Sequence, residues 1–417
     1  MYRRNLAVKP MTLILVCLLP ILITGLLPGC ALVAPTPDPV TITFAHPQSD
    51  TGYYETLVEL FQDEYPYITV ELEPQISYDF GWINVDDADV FVHTQFALGE
   101  LLADDQVLDL TPFIDKDKGF QPDDFYPGTL AMYSRDGKTW GVPAGADVMV
   151  MYYNQELFDT YGVGYPQIDW TWDDFLGIAS QVNEPDIAVF GYGPNYELFD
   201  PLLFIYQGGG GIFDDLQNPI RTTFDDPANI EALDWFTNLI YDYNVAPSPE
   251  QVRDAYSSLG GLTGAIVGGK IGMWTGMLSD RGGQTYSAPW PMRWGVVNLP
   301  KGVQSATLTT ISAYFISSQA EDPDACWAWL SFVSQQTPQR QTPVRRSQLE
   351  STEYEQQIGG DIATAARASM NNSMLLSPRL AEFEQALGIF QQAMDAIVTL
   401  RATPEEALIQ AQNLADR

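Results

Sequence analysis

From residue 40 onward the chain alternates between two hydrophobic periods. Thr41-Ile42-Thr43-Phe44-Ala45 sets apolar side chains at every second position, which predicts a strand. Tyr54, Leu57, Val58, Phe61 and Tyr65 then recur at helical spacing, Pro66 ends that pattern, and Ile68-Thr69-Val70-Glu71-Leu72 alternates again. Strand, helix, strand is the unit of a parallel sheet, because parallel strands need a crossover long enough to hold a helix. The series continues with a short buried strand at 88–92 and a helix carrying Leu98, Leu101 and Leu102. Later helices announce their first turns. Thr171-Trp172-Asp173-Asp174 supplies a cap hydroxyl with an acid three residues on. Asp226-Pro227 opens a helix with Ile230, Leu233, Phe236 and Ile240 on one face, and Asp322-Pro323 opens one bearing Trp327 and Leu330. Leu380, Phe383, Leu387, Phe390, Met394 and Ile397 predict one long helix, and Thr403-Pro404-Glu405-Glu406 caps the last. The class is α/β, without internal repeats.

The first thirty residues follow different rules. Arg3, Arg4 and Lys9 precede an apolar run from Met11 to Leu27, which ends at Leu27-Pro28-Gly29-Cys30. A basic start, an apolar stretch and a small residue before the cut make a secretory signal, here residues 1–29. The cysteine after Gly29 resembles a bacterial lipobox, which implies cleavage before Cys30 and a lipid on it; Pro28 is unusual in that setting. The apolar run is short for a span of ~20 residues and is broken by Pro20 and Pro28. Residues 30–39, with Pro35, Pro37 and Pro39, read as an extended tether.

Charge narrows the function classes. The chain has 54 acidic against 20 basic residues among 417, a net charge of −34, and loss of the leader's three cations deepens it. Nucleic acid and anionic lipid would be repelled, so no nucleic-acid partner is expected. Of three cysteines, Cys17 leaves with the leader and Cys30 carries the lipid. Cys326 remains, in Ala325-Cys326-Trp327, as a core thiol without a disulfide. His46 and His93 are the only histidines, so no metal site and no cofactor are expected. Asp115-Lys116-Asp117-Lys118-Gly119 hints at a calcium loop, but its twelfth position is Tyr126 rather than glutamate. The glycine run at 208–211 lacks a following Lys-Ser/Thr and reads as a tight turn rather than a phosphate loop. No nucleophile elbow is visible. Paired carboxylates are abundant, so a secreted glycosidase stays open on composition alone.

Five passages, in order, resemble the family-1 extracellular solute-binding proteins of bacterial ABC importers, most of which capture sugars. They are Tyr54–Phe61 with Tyr65-Pro66-Tyr67-Ile68-Thr69-Val70; Asp89-Val90-Phe91-Val92 with Leu98-Gly99-Glu100-Leu101; and Lys138-Thr139-Trp140-Gly141-Val142-Pro143 running into Met151-Tyr152-Tyr153-Asn154-Gln155-Glu156-Leu157-Phe158. The glycine run with Ile212-Phe213-Asp214, and Gly269–Gly276 leading to Trp294–Pro300, complete the set. The third is the most specific. The resemblance implies a type II periplasmic-binding-protein fold: two α/β lobes joined by hinge strands, with the ligand in the cleft between them. It places lobe one at 40–146 plus 312–345, lobe two at 147–305 plus 346–417, and a crossover at 306–311. It further implies a monomer, not an enzyme, that sits outside the cytoplasm on its lipid and hands a di- or oligosaccharide to membrane permease subunits. A polyamine, which would suit the acid excess, is the main other ligand, and a sensor kinase the other partner.

Sugar sites need flat rings for pyranose faces and carboxylates or amides for hydroxyls. The chain's 10 Trp, 21 Tyr and 20 Phe leave many candidates, so position has to choose. In a member of that family an acid at the matching position, at the lobe crossing, binds sugar hydroxyls, so the resemblance makes Asp147 a ligand candidate, with a hinge hydrogen bond as its other reading. His93, Thr94 and Gln95 follow the third strand at its carboxyl end, where open α/β sheets bind ligands. The resemblance places cleft-lining side chains at the loop of Trp274, which is expected as a stacking platform or otherwise as core; Tyr78, Trp82, Tyr206 and Gln207 are further ligand candidates, with Trp290 below them. Arg345-Arg346 resembles a family loop near the cleft and is expected as a structural ion pair.

Overall fold

The computed structural model describes residues 38–76, 84–196, 198–283 and 289–417. The leader, Cys30 and most of the tether, together with Tyr78 and Trp82, lie outside the described residues. The predicted opening unit forms: β1 (Val40–Pro47), the helix Thr51–Glu64 and β2 (Ile68–Gln75), then β3 (Val90–Thr94), with both neighbours parallel to β1. Beyond a short hairpin of β4 (Ser134–Arg135) and β5 (Lys138–Thr139) runs a 13-residue strand, β6 (Val142–Asn154). β7 (Phe190–Gly193), β8 (Ile271–Met277), β9 (Trp294–Val297), β10 (Thr307–Ile316) and β11 (Ser373–Leu375) complete the set. The order is β2-β1-β3-β10-β6-β8-β7, with β11 on β10 and β9 on β6.

β6 and β10 join the two halves. Val142–Val148 of β6 pairs antiparallel with β10, and Met149–Asn154 pairs instead with β8 and β9. β10 does the same in reverse, with Ser312–Ile316 on β3 and Thr307–Thr309 on β11. Both faces of β6 are covered. Val148, Val150 and Tyr152 point into one core and Met149, Met151 and Tyr153 into the other, the period-two alternation of a strand buried on both sides. One half packs β1–β3 against Thr51–Glu64 and Pro323–Val333, with Trp329 edge-on to Phe44 and Phe61. The other packs helices Trp172–Gln181, Phe199–Gln207, Pro227–Tyr241 and Glu384–Val398 through Phe175, Phe204, Phe236 and Phe390.

Helix starts follow the sequence signals. Thr171 with Asp174 and Thr403 with Glu406 form complete capping boxes, and the carboxylates of Asp226 and Asp322 accept from Ala228 N and Ala325 N. Such caps each stabilise a helix by about 1 kcal/mol. The single helix expected over 380–397 is divided: Pro378–Phe383 is a 3-10 turn and the α-helix begins at Glu384. Pro378 starts the turn and Ser377 caps it through Arg379 N, so the apolar spacing spans two elements. Cys326 is buried and its thiol is pushed up to about 12, as befits a core position. Gly209, at φ 86°, makes the expected turn after the helix at 199–207.

Candidate functional site

A cavity of about 540 Å³ lies where β6 and β10 cross. Four chain segments build it. Pro47, Ser49, Asp50 and Tyr53 come from the end of β1 and the next helix, and His93, Thr94 and Phe96 from the end of β3. Met277, Ser279 and Asp280 follow β8, and Gln339, Arg340 and Gln341 approach from the segment after the helix 323–333. Phe199 adds a ring. The crossing itself is irregular. The β6–β10 register shifts between Ser312 and Ala313, leaving Ala144 unpaired beside the cavity. Bulges of this kind re-aim side chains at functional sites. Gly145 permits the close approach of Gln341, whose Oε1 would lie 2.5 Å from any added Cβ.

Asp147 sits at the pivot, opposite Thr310 and two residues before Met149, where β6 changes partners. Its carboxylate accepts from Ser279 N at 3.1 Å and from Ser279 Oγ at 2.6 Å. Burial pushes its pKa up to about 6, against the pull of those two hydrogen bonds. The segments that supply Ser279 and Arg340 are clasped. Arg281 donates to the carbonyls of Arg340 (2.5 Å) and Gln339 (2.9 Å), and Arg340 donates back to Ser279 O at 3.2 Å. His93 Nδ1 accepts from Thr94 N at 2.8 Å, which leaves Nε2 to carry the proton of the neutral ring. Asp200, wholly buried, accepts from Tyr192 OH, Asn195 N and Thr275 Oγ1 and thereby fixes the turn that presents Phe199.

Three of the residues singled out from the sequence, Asp147, His93 and Thr94, therefore meet at one cavity. Trp274 does not join them. It is 1% exposed, stacked on Tyr152 and edge-on to Trp290. The reason is parity: Met277 of the same strand faces the cavity, and an odd offset of three puts Trp274 on the opposite face. Trp290 is buried in the same aromatic cluster. The Gln95 amide ties Leu376 O to Ile311 N, and that of Gln207 ties Trp172 Nε1 to Ala306 O. Both are structural braces. Tyr206 lies two turns down the helix from Phe199 and is buried. Arg345 is also structural, held over Phe125 (4.1 Å) and Phe120 (5.1 Å) with Asp124 at 3.8 Å. Asp50, Tyr53, Phe199, Asp280 and Arg340 were not singled out. The signal for Asp50 was present: it lies in the turn that follows β1, as His93 lies at the end of β3, at the same end of the same parallel sheet.

The chain matches the model of the bacterial extracellular solute-binding proteins over residues 47–339. It belongs to that family. The type II fold, two lobes joined by crossing strands, is that of its structural neighbours. An ABC substrate-binding protein from Listeria monocytogenes in complex with cycloalternan superposes with a TM-score of 0.74, 23% identity, and coverage of 91% of this chain and 98% of that one. A cyclic α-maltosyl-1,6-maltose binding protein from Arthrobacter globiformis gives 0.73 at 18% identity, covering 90% and 99%. In sequence, the arabinooligosaccharide-binding protein of Halalkalibacterium halodurans is 33% identical over 124 residues, 30% of this chain and 27% of that protein. Its Bacillus subtilis counterpart is 28% identical over 199 residues, 47% and 43%. The chain thus matches less than half the length of these two relatives. The family's members are binding proteins that work outside the cytoplasm. Among the described residues no helix is long and apolar enough to cross a membrane.

One consequence of the site's carboxylates is measurable without a ligand. Asp147 and Asp200 both have pKa values raised by burial, from an ordinary 3.8 to about 6. Between those values the folded chain binds protons that the unfolded chain does not, so stability rises as pH falls from 7 towards 4. These two carboxylates push the melting midpoint up between pH 7.5 and pH 5, while buried His46, its pKa lowered by burial, pulls it down over the same window. Asp200→Asn should flatten that climb. A pH profile of the midpoint left unchanged by Asp200→Asn contradicts the assignment.

Proposed function

We propose that this chain is the substrate-binding component of an ABC importer and that it captures a di- or oligosaccharide in the cavity at the β6–β10 crossing. The observation that carries the reading is chemical. One cavity combines the carboxylates of Asp50, Asp147 and Asp280, the guanidinium of Arg340 and the amides of Gln339 and Gln341 with the rings of Tyr53 and Phe199. Carboxylates and amides take paired sugar hydroxyls, and rings cover the apolar faces. The saccharides named for the relatives and structural neighbours support the same ligand class. So does its place where β6 and β10 exchange strand partners, a concave junction of the kind in which small-molecule sites form.

In this reading the lobes are 40–146 plus 312–345 and 147–305 plus 346–417, with 306–311 crossing between them. The protein is a monomer held at the membrane by a lipid on Cys30. The described state already has Ser279 on Asp147 and the Arg281–Arg340 clasp made. A sugar hydroxyl takes the place of the Ser279 hydroxyl on Asp147. Contacts to both halves then favour the closed form, and differential affinity drives closure. The closed form is what the permease receives. A polyamine is the second reading, favoured by three carboxylates against one guanidinium in the cavity.

Thermal melting of the purified protein against arabino-oligosaccharides, maltodextrins, cyclic glucans and spermidine tests both. A ligand that binds only the folded form raises the midpoint by mass action. A shift with one saccharide class is expected. A shift with spermidine alone overturns the sugar reading.

A further inference from the structure

A second cavity, of about 1180 Å³, shares no lining residue with the first. It lies beside β11, the short strand that pairs with the Thr307–Thr309 end of β10. Three arginines from separate segments converge on it: Arg135 of β4, Arg346 at the start of the short helix 346–349, and Arg379 in the turn 378–383. The convergence runs against the composition of the chain. Acidic residues outnumber basic ones 54 to 20 overall, yet this lining has three guanidiniums against the two carboxylates of Asp136 and Glu350.

Glu350 is already engaged, accepting from Tyr126 OH at 3.1 Å and pairing with Arg367 at 3.7 Å. One acid, Glu382, is shared by Arg135 at 3.8 Å and Arg379 at 3.3 Å. Arg346 forms no ion pair among the described residues, and its guanidinium rests 5.9 Å from the ring of Tyr126. The side amides of Asn218 and Asn371 add neutral donors, and Met370 and Met374 give an apolar floor. A guanidinium matches an oxyanion through two parallel N–H bonds and is weakly hydrated, so it gives up water readily for such a partner. The apolar floor and the volume suit a carbon skeleton rather than a bare inorganic ion.

We propose that this cavity is a second binding site and takes a small organic anion with carboxylate or phosphate groups placed to meet more than one of Arg135, Arg346 and Arg379. The site is separate from the sugar cavity and does not depend on what that cavity binds.

Calorimetric titration of the purified protein with citrate and with glycerol 2-phosphate, at an ionic strength held constant with sodium chloride, is the test. Saturable binding of one equivalent is expected with at least one probe, and the tighter of the two identifies the preferred oxyanion. Arg346→Gln and Arg379→Gln should each weaken that binding about tenfold or more, the scale of one lost charge-assisted contact. Arg253→Gln, an exposed arginine in the helix Pro249–Tyr256 and outside the cavity lining, should leave it unchanged. Arg346 is exposed, so its replacement leaves the fold intact, and an unaltered melting midpoint without ligand verifies that. Absence of saturable binding with both probes overturns the proposal. So does binding that survives Arg346→Gln and Arg379→Gln.

Discussion

Asp147→Ala is expected to weaken saccharide binding by about 100-fold or more, because a carboxylate accepting two sugar hydroxyls supplies two charge-assisted hydrogen bonds of about 1.5–3 kcal/mol each. Its effect on the empty protein should be small. Among the described residues the Asp147 carboxylate accepts its hydrogen bonds from Ser279, with Arg281 also favouring its charge, and burial works against that charge. Removing it therefore removes a cost along with two bonds. The titration of the saccharide that gives the largest melting shift, repeated on the variant, reads the effect. Affinity preserved within about threefold shows that the sugar does not contact Asp147 and moves the site elsewhere.

Trp274→Ala should do the opposite. Its indole is enclosed by Tyr152 at 6.0 Å and Trp290 at 5.0 Å between ring centres, with 1% of its surface exposed. Deleting so large a buried ring costs about 3–5 kcal/mol, from lost transfer energy and the space left behind. Denaturant unfolding is expected to show that loss, while the saccharide dissociation constant stays within about threefold at a temperature where the variant is folded. A variant of normal stability that no longer binds sugar assigns Trp274 to the ligand as a stacking platform, against its position on the covered face of β8.

These two residues mark what local pattern can and cannot convey. The opening strand–helix–strand unit and the caps at Thr171, Asp226, Asp322 and Thr403 were legible because each signal lies within a few residues of the element it starts. Asp147 was legible through the resemblance of its neighbourhood to a family passage, and His93 and Thr94 through their place at a strand's carboxyl end. Trp274 misled because sequence proximity to the cavity fixes only the strand, whereas the face depends on register with β6. Arg340 and Ser279 were beyond reach for a related reason. Their clasp joins segments 61 residues apart, and nothing in either segment names the other. Gln95 and Gln207 show a third limit, since a buried amide that braces two backbone segments has the same composition signal as one that binds a hydroxyl.

Whether a saccharide occupies the cavity where β6 and β10 cross can be seen in a crystal structure of the complex with the saccharide that gives the largest melting shift. A sugar oxygen is expected within about 2.5–3.2 Å of the Asp147 carboxylate, the usual hydrogen-bond range, with Ser279 Oγ displaced from it and rings of Tyr53 or Phe199 against the sugar. A saccharide seated outside this cavity, in the arginine-bearing one or on the surface, with Asp147 still held by Ser279, would contradict that placement.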